Sequence, residues 1–228
     1  MNLYEYKTWI FDCDGVLLDS NSIKTQAFYE IVLPMGKKIA DQFITFHKEN
    51  AGHSRVEKFN HLFKTILQRS DYDLDLHIAL KEFGEKIRQK LIECPETDGL
   101  RQFLNKISEF GNSFIVSGGL QTEVKDIISQ KGLAKFFVDI YGSPATKEGI
   151  VEKMISTGRL KYPAIYFGDS RYDYETAVKY QIDFVFVTKY TEFKDWRAFF
   201  LKREKVVLME TFESWVGNNK KLKSPETR

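Results

Sequence analysis

Apolar residues fall along this chain in two rhythms. Four short runs, "KTWIFDCD" (7–14), "NSFIVSGG" (112–119), "PAIYFGDS" (163–170) and "DFVFVTK" (183–189), are apolar through their middles and end in small, acidic or basic residues. Unbroken rather than alternating apolarity suits strands covered on both faces. "FVDIYGS" (137–143) and "KVVLME" (205–210) are weaker strand candidates. The second rhythm is helical. Val124, Ile127 and Ile128 share a face before Gly132, and Ile150, Val151, Met154 and Ile155 do so before Gly158. Each glycine reads as a helix stop. Strands alternating with helices predict an α/β fold, a three-layer, doubly wound parallel sheet.

One stretch breaks the alternation. From about residue 20 to 91 only helical periodicity is found, in "SIKTQAFYEIVL", a segment around 38–49, "SRVEKFNHLFKTILQ" and "LHIALKEFGEKIRQKLI". About four helices, and no strand, predict a small all-helical domain at 20–91. It is inserted in a discontinuous core made of 1–19 and 92–228. "ECPETDG" (93–99) is the return linker, and the polar tail "NNKKLKSPETR" is expected to fray.

Composition narrows the function classes. With 43% hydrophobic and 29% charged residues among 228, a packed globular protein is expected. A net charge of +2 gives no reason to expect nucleic acid. No apolar run nears the roughly 18 residues of a membrane span, and "MNLYEYKTW" does not read as a signal peptide. The two cysteines, Cys13 and Cys94, suit a reducing compartment, so a cytoplasmic monomer is expected. Cys13, between two acids, reads as packing. The four histidines, His47, His53, His61 and His77, show no metal-ligand spacing.

Chemistry gathers at the strand ends. Open parallel sheets bind ligands beyond the carboxyl ends of their strands, at a topological switch point. Asp12 and Asp14 end the first run, and Asp169, with Asp173 four residues on, ends "YFGDSRYD". Up to four carboxylates are expected to converge, and like charges raise one another's pKa. A Mg²⁺ ion, which prefers oxygen ligands, would offset the repulsion. Ser117 ends "IVSGG", offering a hydroxyl and backbone N–H groups before a helix, an anion site. Lys147 opens a helix, where the dipole disfavours a cation unless it reaches an anion.

At this point the sequence resembles the haloacid dehalogenase superfamily, in its phosphatase and β-phosphoglucomutase-like branch with a helical cap. "DCDGV" matches the family's first motif, Ser117 the second, Lys147 the third, and Gly168, Asp169 and Asp173 the fourth. The resemblance implies phosphoryl transfer through an aspartyl-phosphate. Asp12 is then the nucleophile and Asp14 the proton donor and acceptor. Ser117, Gly118 and Lys147 bind the phosphoryl group, and Asp12, Asp14, Asp169 and Asp173 hold Mg²⁺. The expected substrate is a small phosphorylated metabolite, such as a sugar phosphate. A sugar phosphomutase and a catalytically silent binding module are the alternatives.

Two residues of the insert stand out as substrate contacts. Lys24 falls within the apolar arc of Ile23, Ala27, Phe28, Ile31 and Val32. It either snorkels from the first turn or points into the cleft. Arg55 opens a helix after a glycine loop, beside a Ser54/Glu57 capping box, and resembles the specificity loop of the β-phosphoglucomutase relatives. Those relatives usually carry a histidine where this chain has Lys24. Asp19 reads as structural, capping the first insert helix with Ser20 and Asn21.

Overall fold

A computed structural model describes residues 5–201, 203 and 206–218. Six strands, β1 (Thr8–Phe11), β2 (Asn112–Leu120), β3 (Asp139–Ser143), β4 (Ala164–Gly168), β5 (Asp183–Val187) and β6 (Val206–Met209), form one sheet. Their order is β3-β2-β1-β4-β5-β6, and every pairing is parallel. The chain winds outward from β1 to β3, then returns to the other side of β1 and winds out to β6. The reversal lies between β1 and β4, where the carboxyl ends open a crevice.

Successive residues of each strand serve opposite faces. Trp9, Phe11, Ile115, Ile165, Phe167 and Val185 belong to one apolar cluster, whereas Ile10, Phe114, Val116, Tyr166 and Phe184 belong to the other. Both faces are therefore buried, the reason the strand segments read as unbroken apolar runs. On the first face pack α5 (Leu100–Ile107), α6 (Gln121–Gln130) and α10 (Phe212–Asn218); on the second pack α7 (Lys147–Ser156), α8 (Arg171–Lys179) and α9 (Trp196–Phe200). The two weak strand candidates are the sheet's edges, β3 and β6. An edge strand lacks a neighbour on one side, and two of the five residues of β3 and three of the four of β6 stay partly exposed. The polar tail from residue 219 onward lies outside the described residues.

Between β1 and β2 the chain forms α1 (Asn21–Val32), α2 (Lys37–Glu49), α3 (Arg55–His61) and α4 (Asp73–Glu93) before α5. The third expected helix is divided. α3 ends at His61 and passes into a wider π turn over Leu62–Ile66. Phe28, Phe43, Phe59 and Phe83 meet at the centre of these helices. The outgoing and returning chains run side by side. Asp19 N donates to the Pro95 carbonyl at 3.0 Å, and Thr97 N to that of Leu17 at 3.0 Å. The Ser54/Glu57 capping box is formed. The expected cap at Asp19–Asn21 is not. Ser20 holds the N-cap position, but its hydroxyl is turned away to Asp14.

Phe103 of α5 joins the helix layer to the sheet. It is fully buried, with its ring 4.8 Å from Phe212, 5.4 Å from Phe167 and 6.0 Å from Trp9. Phe103→Ala is expected to cost about 3–5 kcal/mol in urea unfolding through lost burial and a residual cavity. A cost under about 1 kcal/mol would show that the layers are not coupled there.

Candidate functional site

The site lies over the β1/β4 crevice. Asp12 follows β1 directly, its N–H donating to the Phe167 carbonyl at 2.9 Å, which fixes it level with the end of β4. Asp12 Oδ1 accepts from the N–H of Cys13 at 2.7 Å, and Oδ2 lies 2.8 Å from Lys147 Nζ. The chain then turns through Gly15, at φ +71°, a conformation favoured by glycine. A Cβ there would lie 2.3 Å from Asp169 Oδ2, so this turn is also a place of close approach.

Lys147, the first residue of α7, is buried with Nζ 2.6 Å from Asp173 Oδ1 as well as 2.8 Å from Asp12. Thr146 supplies the helix cap, leaving the lysine free to face inward. Burial would lower the Lys147 ammonium, but Asp12 and Asp173 more than reverse this and hold it up. Asp173 is saturated. Its Oδ1 accepts from Lys147 and from the Tyr166 hydroxyl at 2.8 Å, its Oδ2 from the Ser170 N–H at 3.2 Å and hydroxyl at 2.5 Å. A carboxylate has about four such acceptor directions, and these four contacts use them. Asp173 thus fixes the position of the Lys147 ammonium.

Asp12, Asp169 and Asp173 each offer an oxygen within 4.8 Å of the others. Burial pushes the Asp12 carboxyl up, Lys147 opposes this, and Asp173 and Asp14 add to the rise. Burial, then Asp12 and Asp173, push Asp169 well above the usual carboxylate range. Three buried acids share one ammonium, and the donor set is hard oxygen. Asp12 and Asp169 retain acceptor directions, since among the described residues the Asp169 carboxylate accepts only from Asn21 Nδ2, at 2.7 Å. These residues fit a divalent cation such as Mg²⁺.

Asp14 points elsewhere. Its Oδ1 accepts from the Ser20 hydroxyl at 2.6 Å and its Oδ2 pairs with Lys24 Nζ. Burial would raise this carboxyl, but the Lys24 ammonium and the Ser20 hydroxyl outweigh it, so it lies below its usual range. Lys24 thus faces the cleft rather than snorkelling. Arg55 also lines the cleft, but its guanidinium is engaged by Glu123 through both terminal nitrogens and lies 4.8 Å over the Phe83 ring. The buried Ser117 oxygen accepts from the Gly119 N–H at 3.0 Å, which leaves its hydroxyl proton to donate.

The insert meets the core at this point. Gly52, at φ +86°, lies where a Cβ would stand 2.7 Å from Ser170 Oγ, and the His53 ring stacks on Tyr172 with centroids 4.2 Å apart. A Cβ on Gly118 would come 2.3 Å from the Gly52 carbonyl oxygen. Sequence reasoning missed Asn21, His47, Lys58 and Glu192, which share the cleft. A signal existed for two of them. His47 continues the buried stripe of Ala40 and Phe43 on α2, and Lys58 sits beside Phe59 on the buried side of α3.

Both atoms nearest a Gly118 Cβ belong to the Gly52 backbone, which cannot swing aside as a side chain does. Gly118→Ala is expected to lift the loop around Gly52 and speed amide exchange there about tenfold or more, while the sheet amides are unchanged. Unchanged exchange at Gly52 and His53 would contradict this contact.

A family profile described as haloacid dehalogenase-like hydrolase matches residues 9–187. No curated protein sequence matches the chain. Among solved structures, a predicted phosphoglycolate phosphatase from Haemophilus somnus is similar over 96% of this chain and 99% of its own, with 13% identity and a TM-score of 0.70. A predicted phosphatase from Clostridium acetobutylicum is similar over 96% and 100%, at 18% identity and a TM-score of 0.68. The HAD-hydrolase YfnB from Bacillus subtilis, bound to magnesium, is similar over 94% and 98%, at 16% identity and a TM-score of 0.64. These likenesses concern the fold, while the profile covers most of the chain and all four motifs. The chain belongs to the haloacid dehalogenase-like hydrolase family.

Proposed function

We propose that the protein is a Mg²⁺-dependent phosphatase that hydrolyses a small phosphorylated metabolite through a phosphoryl group carried on Asp12. The observation that carries this reading is the buried Asp12 carboxylate. It is held between the Cys13 N–H and the Lys147 ammonium, with further acids close enough to share a metal. An acid kept this deep, at a sheet's switch point, serves chemistry rather than solubility.

In the first step an Asp12 oxygen bonds to phosphorus, the ester P–O bond breaks, and the leaving oxygen keeps the electron pair and takes a proton from Asp14. In the second, water bonds to phosphorus and gives a proton to Asp14. The Asp12–phosphorus bond breaks, and inorganic phosphate and the free carboxylate result. Lys147, Ser117 and the Gly118 backbone hold the phosphoryl oxygens as their charge builds. Asp173 keeps Lys147 aimed through the 2.6 Å contact. Asp12, Asp169 and the Asp14 backbone carbonyl would hold Mg²⁺, which when bound offsets the repulsion between Asp12 and an incoming phosphate.

Asp14 must gain a proton before it can donate one, and the Lys24 ammonium opposes this. Lys24 has a flexible stem and can transfer to an incoming anion, leaving Asp14 to be protonated. The insert acts as a cap, bounded at 20–91 and joined by the paired linkers at Asp19 and Pro95. Its loop at Gly52 closes over Lys147 and Ser170 and excludes water.

Asp12→Asn is expected to lower phosphate release from acetyl phosphate below about one per cent of wild type, with the fold retained by circular dichroism. More than about a tenth of the activity remaining would sink the nucleophile assignment. Mg²⁺ at about a hundredfold its Kd should stabilise the protein by ~2.7 kcal/mol in thermal unfolding. Asp169→Asn should remove most of that gain, and an undiminished gain would contradict the metal site.

A further inference from the structure

Four strong cations line the cleft: Lys24, Lys48, Arg55 and Lys58. Three have acids. Lys24 pairs with Asp14, Lys48 with Glu192 at 3.0 Å, and Arg55 with Glu123. Lys58, only 4% exposed, has no carboxylate within ion-pair distance among the described residues. Its ammonium donates instead to His47 Nδ1 at 3.0 Å.

His47 does not neutralise it. The Thr25 hydroxyl gives its proton to Glu192, so Thr25 Oγ1 accepts from His47 Nε2–H at 2.9 Å, and Nδ1 is left as the acceptor for Lys58. Burial, then Lys58 and Lys48, hold the imidazole well below its usual pKa, which keeps it uncharged. The Phe28 ring face lies 5.7 Å from the Lys58 ammonium, a cation–π contact that eases the burial but brings no counter-charge. Burial first, then Lys24, bring Lys58 down to about 7, although Asp14 and Glu192 partly offset the fall. A buried ammonium without a counter-charge is costly. The cost is recovered when a ligand supplies the missing anion.

We propose that Lys58, held by His47, binds a second anionic group, a carboxylate or a second phosphate, on the leaving-group side of the substrate. The substrates are then small phosphate monoesters bearing another negative charge, rather than phosphates of uncharged sugars. This rests on the phosphatase reading above for the identity of the first anion.

Three esters of one chain length separate the cases: propyl phosphate, the phosphate ester of hydroxypropionate, and propanediol bisphosphate. Calorimetric binding to the Asp12→Asn protein with Mg²⁺ reads preference without turnover, and kcat/KM on the wild type reads it with turnover. An anionic ester is expected to be preferred over propyl phosphate about tenfold or more in both, since desolvated charge pairs discriminate at that level. Whichever anionic ester is favoured identifies the second group. In Lys58→Met the ratio should fall close to one, and Lys58→Arg should restore part of it. Equal affinity of the Asp12→Asn protein for all three esters would overturn the proposal. So would an equal fold-loss on all three in Lys58→Met, which would mark Lys58 as structural. If the binding preference holds but no ester or acetyl phosphate is hydrolysed by wild type, the second-anion site stands and the phosphatase reading fails.

Discussion

The ammonium of Lys147 ties the site together. It is buried, it reaches Asp12 at 2.8 Å and Asp173 at 2.6 Å, and so it links the end of β1 to the start of α7 and the first turn of α8. These three points follow three different strands, β1, β3 and β4. Removing three charges from water costs much of what their attraction returns, and apolar residues of similar size often stabilise a fold as well or better. The triad is thus poorly explained as a device for stability. It suits the proposed phosphate and nucleophile site, in which a fixed positive charge would already be in place when a negative group arrives.

The remaining charges follow from it. One ammonium cannot balance Asp12, Asp169 and Asp173, and the surplus appears as carboxyls raised by burial and mutual repulsion. A divalent cation would answer that surplus on the core side. On the side of the helical insert the imbalance has the opposite sign. Lys24 pairs with Asp14, and Lys58 stands beside a neutral imidazole. A ligand with a phosphoryl group at one end and a second anion at the other would meet a complementary charge at both. On that proposal the helical insert and the core would supply opposite halves of one recognition problem, and Gly52 and Gly118 lie in close approach between them.

Much of this was legible in the sequence. All six strands were identifiable because both sheet faces are buried, and the two edge strands, β3 and β6, gave the weakest signals. Asp12, Asp14, Lys147, Asp169 and Asp173 were legible because each stands just past a strand or at a helix start, where apolar periodicity stops. Ser117, expected to end its strand, instead lies inside β2, which runs on to Leu120 through a register shift after Val116. The roles assigned by tertiary pairing were not legible. Nothing in the spacing of Asp173 says that four donors fill its oxygens, nor that Arg55 is engaged by Glu123, 68 residues away in sequence. The burial of Lys58 and His47 left a trace in the helix periodicity, but their pairing with each other did not. A polar residue on an apolar helix face reads as an exception until its partner on another helix is known.

The central claim is that Asp12 carries the phosphoryl group. It is tested most directly by acid-quenching the protein during turnover of acetyl phosphate with Mg²⁺ and reducing it with borohydride, which converts an aspartyl phosphate to homoserine. Peptide mass spectrometry is then predicted to find homoserine at Asp12 alone, only when both the ester and Mg²⁺ are present. Reduction at another aspartate, phosphate retained on Ser117, or no labelled residue during measurable turnover would contradict the account.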